Sequence, residues 1–180
     1  AVSDSDPTPC YGEISTTCYV DSDWAGDKSH RRFVTGYIIY LGSTPVTWYC
    51  KTQSMVETST YSAEFMAMKK AVEHIKGLRH TLRAFGVVVE LPTEVRCDNK
   101  SVVSNTVIAA STLRNRQIGI AYHMCRESVA ADIIRVYHIK SEFNRADILT
   151  KPLGSVKYQA LIDRIFKRGQ FGIRIGRPQA

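Results

Sequence analysis

Carboxylate side chains stand at the points where predicted strands end and predicted helices begin. Asp21 and Asp23 follow the first predicted strand, and Glu64 lies near the start of a long predicted helix. Asp98 ends a later strand, and Asp147 lies near the start of a late helix. If these positions meet at one edge of a sheet, the like charges repel, and Mg²⁺ or Mn²⁺ relieves the repulsion through oxygen ligands. The pattern indicates a metal site, although any one of these carboxylates alone is more typical of a helix cap or a solvated helix face.

The elements that must position these side chains follow from the hydrophobic pattern. Runs of β-branched and aromatic residues predict strands at 17–20, 33–41 and 46–50, with short links that are typical of an antiparallel meander. Apolar residues that recur at helical spacing from Tyr61 to Leu82 predict a helix of about 24 residues. Further strands are predicted at 95–97 and 133–139, and further helices at 99–108, 118–131, 146–149 and 158–167. This order predicts an α/β fold whose mixed sheet is antiparallel on one side and parallel on the other.

The composition is that of one folded domain with a basic surplus. The 180 residues include 24 Lys and Arg against 17 Asp and Glu, which gives a formal net charge of +7. This surplus favours a polyanionic partner, although a solvated basic surface is the plainer explanation. No apolar run reaches the roughly 18–20 residues of a membrane span, and five cysteines without a CxxC pair argue against a disulfide framework or a zinc site. We therefore expect an intracellular protein that does not enter a membrane. It would have a leader or linker at 1–13, a domain at 14–168 and a flexible basic tail at 169–180.

Five ordered segments together resemble the ribonuclease H domain at the C-terminal end of Ty1/copia-type retrotransposon polyproteins. They are YVDSDWAGDKSHRRFVTGYIIYLG (19–42), WYCKTQSMVETSTYSAEFMAM (48–68), RCDNKSVV (96–103), AYHMCRESVAADIIRVYHI (121–139) and NRADILTKPL (144–153). The resemblance covers the chain from about residue 14 to 168 and implies a ribonuclease H-like fold with a five-stranded mixed sheet. It also implies an endoribonuclease that cuts the RNA strand of RNA–DNA hybrids by a two-metal mechanism and leaves 5′-phosphate ends.

The family's metal ligands can be carried over residue by residue. The resemblance places them at Asp21, Glu64, Asp98 and Asp147, where they would hold two Mg²⁺ ions, with Mn²⁺ as a substitute. Asp23 is the alternative ligand on the first strand, because a shift of two residues keeps the same strand face.

Substrate contacts are less specific in the sequence than the carboxylates. Asn99 and Lys100 directly follow the Asp98 motif and are candidates for contact with the hybrid, although a helix cap and a solvated lysine are the alternatives. Arg31 and Arg32 are candidate phosphate contacts. Many relatives carry a mobile histidine before the last aspartate; here His138 falls in a predicted strand, where a buried or paired role is the expected one.

Two other functions compete with this interpretation. Integrases and transposases of the DDE type share the general fold, but their glutamate follows the second aspartate, whereas Glu64 precedes Asp98. A non-catalytic module that binds hybrids or connects domains beside a polymerase remains the alternative function. The family context predicts an RNA–DNA hybrid and the reverse transcriptase domain of the same polyprotein as partners. It also predicts a cytoplasmic virus-like particle, the nucleus, or both as the location.

Overall fold

The computed structural model describes residues 14–23, 32–53, 59–87, 89–108 and 118–166. The strands are β1 (Thr16–Asp23), β2 (Val34–Leu41), β3 (Thr44–Thr52), β4 (Thr93–Cys97) and β5 (Ile134–His138). The helices are α1 (Thr60–Ala84), α2 (Lys100–Val107), α3 (Gly119–Ala130), α4 (Asp147–Thr150) and α5 (Ser155–Phe166), with a 3₁₀ turn at Ser141–Phe143. The predicted leader, the predicted tail and Arg31 lie outside the described residues. None of the helices in the described ranges is long and apolar enough to cross a membrane.

The five strands form one mixed sheet in the order β3-β2-β1-β4-β5. β1, β2 and β3 are antiparallel neighbours, whereas β4 runs parallel to β1 and β5 runs parallel to β4. The predicted α/β architecture is therefore confirmed. Several boundaries differ by a few residues, and the difference that affects the site is in β1. This strand extends to Asp23, so Asp21 lies inside the strand opposite Gly36 instead of following it. Pairing with β2 continues the strand past the point where its apolar run ends.

Hydrophobic side chains cover both faces of the sheet. On one face, Phe65 and Met68 of α1 pack with Tyr122 of α3 in the larger core cluster. On the other face, a smaller cluster joins Tyr19 of β1 to Ile165 of α5. Because side chains alternate along a strand, β1 contributes residues to both clusters, and its two faces are both buried. This double burial is what encloses a charged residue on β1.

Helix α1 begins and ends with recognisable capping features. The Ser59 hydroxyl accepts a hydrogen bond from the Ser62 backbone N–H at 3.2 Å, which satisfies a donor of the first turn. Beyond the C-terminus, Gly86 has φ 75°, a left-handed conformation that favours glycine. These features define where α1 begins and ends, and Glu64 lies in its N-terminal turns.

Candidate active site

Asp21 is a fully buried carboxylate on the central strand β1. Its Oδ2 accepts a hydrogen bond from the Thr150 hydroxyl, and its Oδ1 accepts one from Lys151 Nζ at 3.0 Å. Burial raises the pKa of Asp21 to about 6, the nearby Asp147 charge adds to the rise, and the Lys151 ammonium and Thr150 hydroxyl oppose it. Without those two donors, α4 and β1 would enclose an uncompensated charge.

Asp147, the first residue of α4, is also fully buried. Its Oδ1 accepts from Lys151 Nζ at 2.9 Å, and its Oδ2 accepts from Lys157 Nζ of α5 at 2.6 Å. Buried Asn144 holds the preceding turn in place, because its Nδ2 donates to the Val20 backbone oxygen at 3.0 Å. Asp147 is therefore positioned by a direct link between its own loop and β1.

Glu64 reaches the same region from the opposite face of the sheet. Its side chain is 7% exposed, and its Oε2 has no hydrogen-bond partner among the described residues. Burial raises the pKa of Glu64 to about 9, and the charges of Asp21 and Asp98 add to the rise, while a hydrogen bond from the Ser22 backbone opposes it. A buried acceptor without a partner is unusual in a folded protein and is a group that a cation could satisfy.

Asp98 connects the two sides of the cluster. It directly follows β4, and its Oδ2 accepts a hydrogen bond from the Ser141 hydroxyl at 2.6 Å. Ligand atoms of Asp21, Asp98 and Asp147 lie within 4.8 Å of one another, and so do those of Glu64, Cys97 and Asp98. The structure thus brings together Asp21, Glu64, Asp98 and Asp147, four of the five carboxylates that the sequence singled out.

This donor set fits a hard divalent cation. Carboxylate oxygens are the ligands that Mg²⁺ and Mn²⁺ prefer, and the unpartnered Glu64 oxygen would gain a partner. Cys97 places a soft sulfur atom beside the cluster, and this sulfur accepts a hydrogen bond from the Asn99 N–H at 3.4 Å. The arrangement could therefore hold metal ions between residues of β1, α1, α4 and the end of β4.

Parts of known proteins are similar to this chain in sequence. The Retrovirus-related Pol polyprotein from transposon RE1 of Arabidopsis thaliana is 33% identical over 155 residues, which are 84% of this chain and 10% of that protein. The Transposon Ty1-NL2 Gag-Pol polyprotein of Saccharomyces cerevisiae is 25% identical over 142 residues, which are 77% of this chain and 8% of that protein. No family model matches the chain.

Solved structures agree on the fold. The structure of LC11-RNase H1 in complex with an RNA/DNA hybrid superposes with a TM-score of 0.60 at 18% identity, covering 76% of this chain and 94% of that one. The foamy viral protease-reverse transcriptase in complex with an RNA/DNA hybrid gives 0.50 at 14% identity, covering 83% of this chain and 21% of that one. This chain is a ribonuclease H-like domain homologous to Ty1/copia retrotransposon Pol polyproteins. The ribonuclease H-like domain spans about a tenth of the length of those curated relatives.

The structure also describes four further predicted residues of this ribonuclease H-like domain: Asp23, Asn99, Lys100 and Arg32. Asp23, at the end of β1, is partly exposed and belongs to neither cluster of ligand atoms in the described ranges. Asn99 caps α2, because its Oδ1 accepts from the Ser101 and Val102 backbone N–H groups. Lys100 is an exposed residue in the first turn of α2, and Arg32 is exposed beside β2.

His138 is the last residue of β5, and its side chain is exposed. Its Nε2 donates to the Asp98 backbone oxygen at 3.2 Å. The sequence predicted a buried or paired histidine, and His138 is paired but exposed. Its contact is with the backbone of a site residue and not with a carboxylate.

Four residues that donate to the carboxylates were not among the site residues predicted from the sequence. They are Ser141, Thr150, Lys151 and Lys157. One signal was available, since Lys151 follows Asp147 at the i, i+4 spacing of a helical ion pair. The other contacts join residues that are distant in sequence, and only the folded chain reveals them.

Proposed function

We propose that this ribonuclease H-like domain is an endoribonuclease that hydrolyses the RNA strand of RNA–DNA hybrids during retrotransposon reverse transcription. The observation that carries the proposal is the convergence of Asp21, Glu64, Asp98 and Asp147, with a Glu64 oxygen that has no other described partner. Homology to retrotransposon Pol polyproteins supports the biological setting. A ribonuclease H1 of the same fold has been solved with an RNA/DNA hybrid, which supports the substrate class.

The protein's part in the reaction would be to hold the metal ions and to keep the carboxylates in their relative positions. Asp21, Glu64, Asp98 and Asp147 would hold two Mg²⁺ ions, or Mn²⁺ in their place. When bound, such ions activate a water and stabilise the departing 3′ oxygen, which leaves a 5′-phosphate product. Because β1, the start of α1 and the start of α4 are packed into the core, these carboxylates keep their relative positions without substrate.

Recognition of the hybrid would fall to groups beside the carboxylates. Asn99 uses its Oδ1 to cap α2, so its side-chain amide nitrogen is the group that could contact a 2′-hydroxyl. Lys100 and Arg32 are exposed, as phosphate contacts need to be. Arg31 stays a prediction from the sequence. We further propose that the reverse transcriptase domain of the same polyprotein is a partner and that the domain acts in a cytoplasmic virus-like particle, the nucleus, or both.

The decisive experiment is cleavage of a hybrid labelled on its RNA strand, with Mg²⁺ and with Mn²⁺. We expect cleavage by the wild type and a loss of more than about a hundredfold in Asp98→Asn, since even residues behind a metal ligand are worth 10–100-fold. The matched control is Asp163→Asn, which neutralises an exposed carboxylate on α5 and should cleave normally. Hybrid binding without cleavage in either metal would instead support a non-catalytic module.

A further inference from the structure

A lysine ammonium lies between two of the buried carboxylates. Lys151 Nζ is 3.0 Å from Asp21 Oδ1 and 2.9 Å from Asp147 Oδ1. Both aspartate side chains are 0% exposed, whereas the lysine side chain is 26% exposed. The ammonium therefore bridges carboxylates from β1 and α4, and the lysine side chain is partly exposed to solvent.

The direct contacts of Lys151 lie on one side of the cluster, although its charge also acts to lower the pKa of Glu64. The second oxygen of Asp21 accepts from Thr150, and the second oxygen of Asp147 accepts from Lys157. Each oxygen of this pair thus has a donor from the protein itself. Glu64, across the cluster, has a buried oxygen without a described partner. The lysine contacts are specific to the Asp21–Asp147 pair.

We propose that Lys151 is a displaceable counter-ion, whose ammonium competes with a divalent cation for the oxygens of Asp21 and Asp147. This inference rests on the metal site of the proposed function. Two cations that use the same carboxylate oxygens repel each other, so the bridge and the metal exclude one another. The lysine keeps the two aspartates together in the metal-free protein, and metal binding releases it toward solvent.

The first test measures Mn²⁺ affinity without substrate, from the signal of free Mn²⁺ in electron paramagnetic resonance. Lys151→Gln should bind Mn²⁺ more tightly than the wild type by about tenfold, within the roughly 5–150-fold range of typical coupling between ligands. Lys69→Gln is the matched control, because it removes the same charge from a partly exposed ion pair on α1. A purely structural role for Lys151 predicts the opposite result, since a disordered site binds metal more weakly. Affinity in Lys151→Gln that equals or falls below the wild-type value overturns the inference.

A second test uses the wild-type protein, so it does not depend on the folding of a variant. Acetylation of Lys151 by acetic anhydride, read by mass spectrometry, should accelerate at least threefold when Mg²⁺ is added, whereas that of Lys69 should not change. An unchanged rate at Lys151 overturns the inference. Both tests are independent of cleavage. If the hybrid is not cut but Lys151 still competes with the divalent cation, only the proposed function is refuted. Cleavage without competition refutes only the role of Lys151.

Discussion

Replacing the buried Glu64 by glutamine should stabilise the metal-free domain. Glu64 has a pKa raised from 4.5 to about 9 by burial and by the charges of Asp21 and Asp98. The folded state therefore keeps a proton on this group at neutral pH, whereas the unfolded chain ionises it. A carboxyl whose pKa is raised on folding contributes full stability below the unfolded value and loses it as the pH rises toward the folded value. Between pH 4.5 and 9, Glu64 thus opposes folding more strongly at each higher pH.

The magnitude follows from the size of that shift. Each pH unit between the two pKa values changes the free energy of unfolding by about 1.4 kcal/mol, so Glu64 destabilises the domain by about 3–4 kcal/mol at pH 7. Glutamine keeps the shape but places an amide where one acceptor has no described partner, which costs about 1 kcal/mol. The net gain for Glu64→Gln should be about 2–3 kcal/mol at pH 7, larger at pH 8 and close to zero at pH 5.

Urea unfolding followed by circular dichroism, in EDTA at pH 5, 6, 7 and 8, measures this gain. The matched control is Glu73→Gln on the same helix, where the side chain is 35% exposed and pairs with Lys69 and Lys70. That change should lower stability by no more than about 1 kcal/mol at any of these pH values. Two results would refute the reasoning. One is a Glu64→Gln protein that is less stable than the wild type at pH 8, and the other is a gain in the free energy of unfolding that is the same at pH 5 and pH 8.

Three further outcomes are expected. A Cβ on Gly36 would meet the Thr150 side chain at 2.5 Å, so Gly36→Ala should displace α4 and lower stability by about 1–3 kcal/mol. Gly77→Ala is the control, because a Cβ there would have nothing within 4 Å and alanine favours a helix over glycine by about 0.5–1 kcal/mol. Thermal unfolding measures both variants, and a Gly36→Ala protein as stable as the wild type would contradict the close approach of Thr150 to Gly36. Asn144→Ala should lose about 1–3 kcal/mol in urea unfolding, because the Val20 backbone oxygen loses its donor; no loss would mean that water replaces the amide. Finally, because the chain has a formal net charge of +7, its affinity for the hybrid, measured by fluorescence anisotropy, should fall steeply as the salt concentration rises. An affinity that does not change with salt would mean that the basic residues do not contact phosphates.

Much of the architecture was predictable because periodicity is a local property. The apolar spacing from Tyr61 to Leu82 predicted α1, and the observed helix covers Thr60–Ala84. The short α4 begins at Asp147, one residue after its predicted start. The end of β1 was predicted too early, because a charged residue stops an apolar run in the sequence but does not stop backbone pairing with β2.

The candidate site, like the fold, was predictable only in part. The sequence by itself determined which carboxylates stand at the ends of elements, in which order they occur, and that their relatives are retrotransposon Pol polyproteins. The tertiary structure alone decided what surrounds them: Lys151 reaches Asp21 across 130 residues of chain, and Glu64 keeps a buried oxygen without a described partner. The physical reason is that spacing along the chain encodes only neighbours within a strand or helix. The charge balance of a buried site depends on which elements the sheet order places side by side.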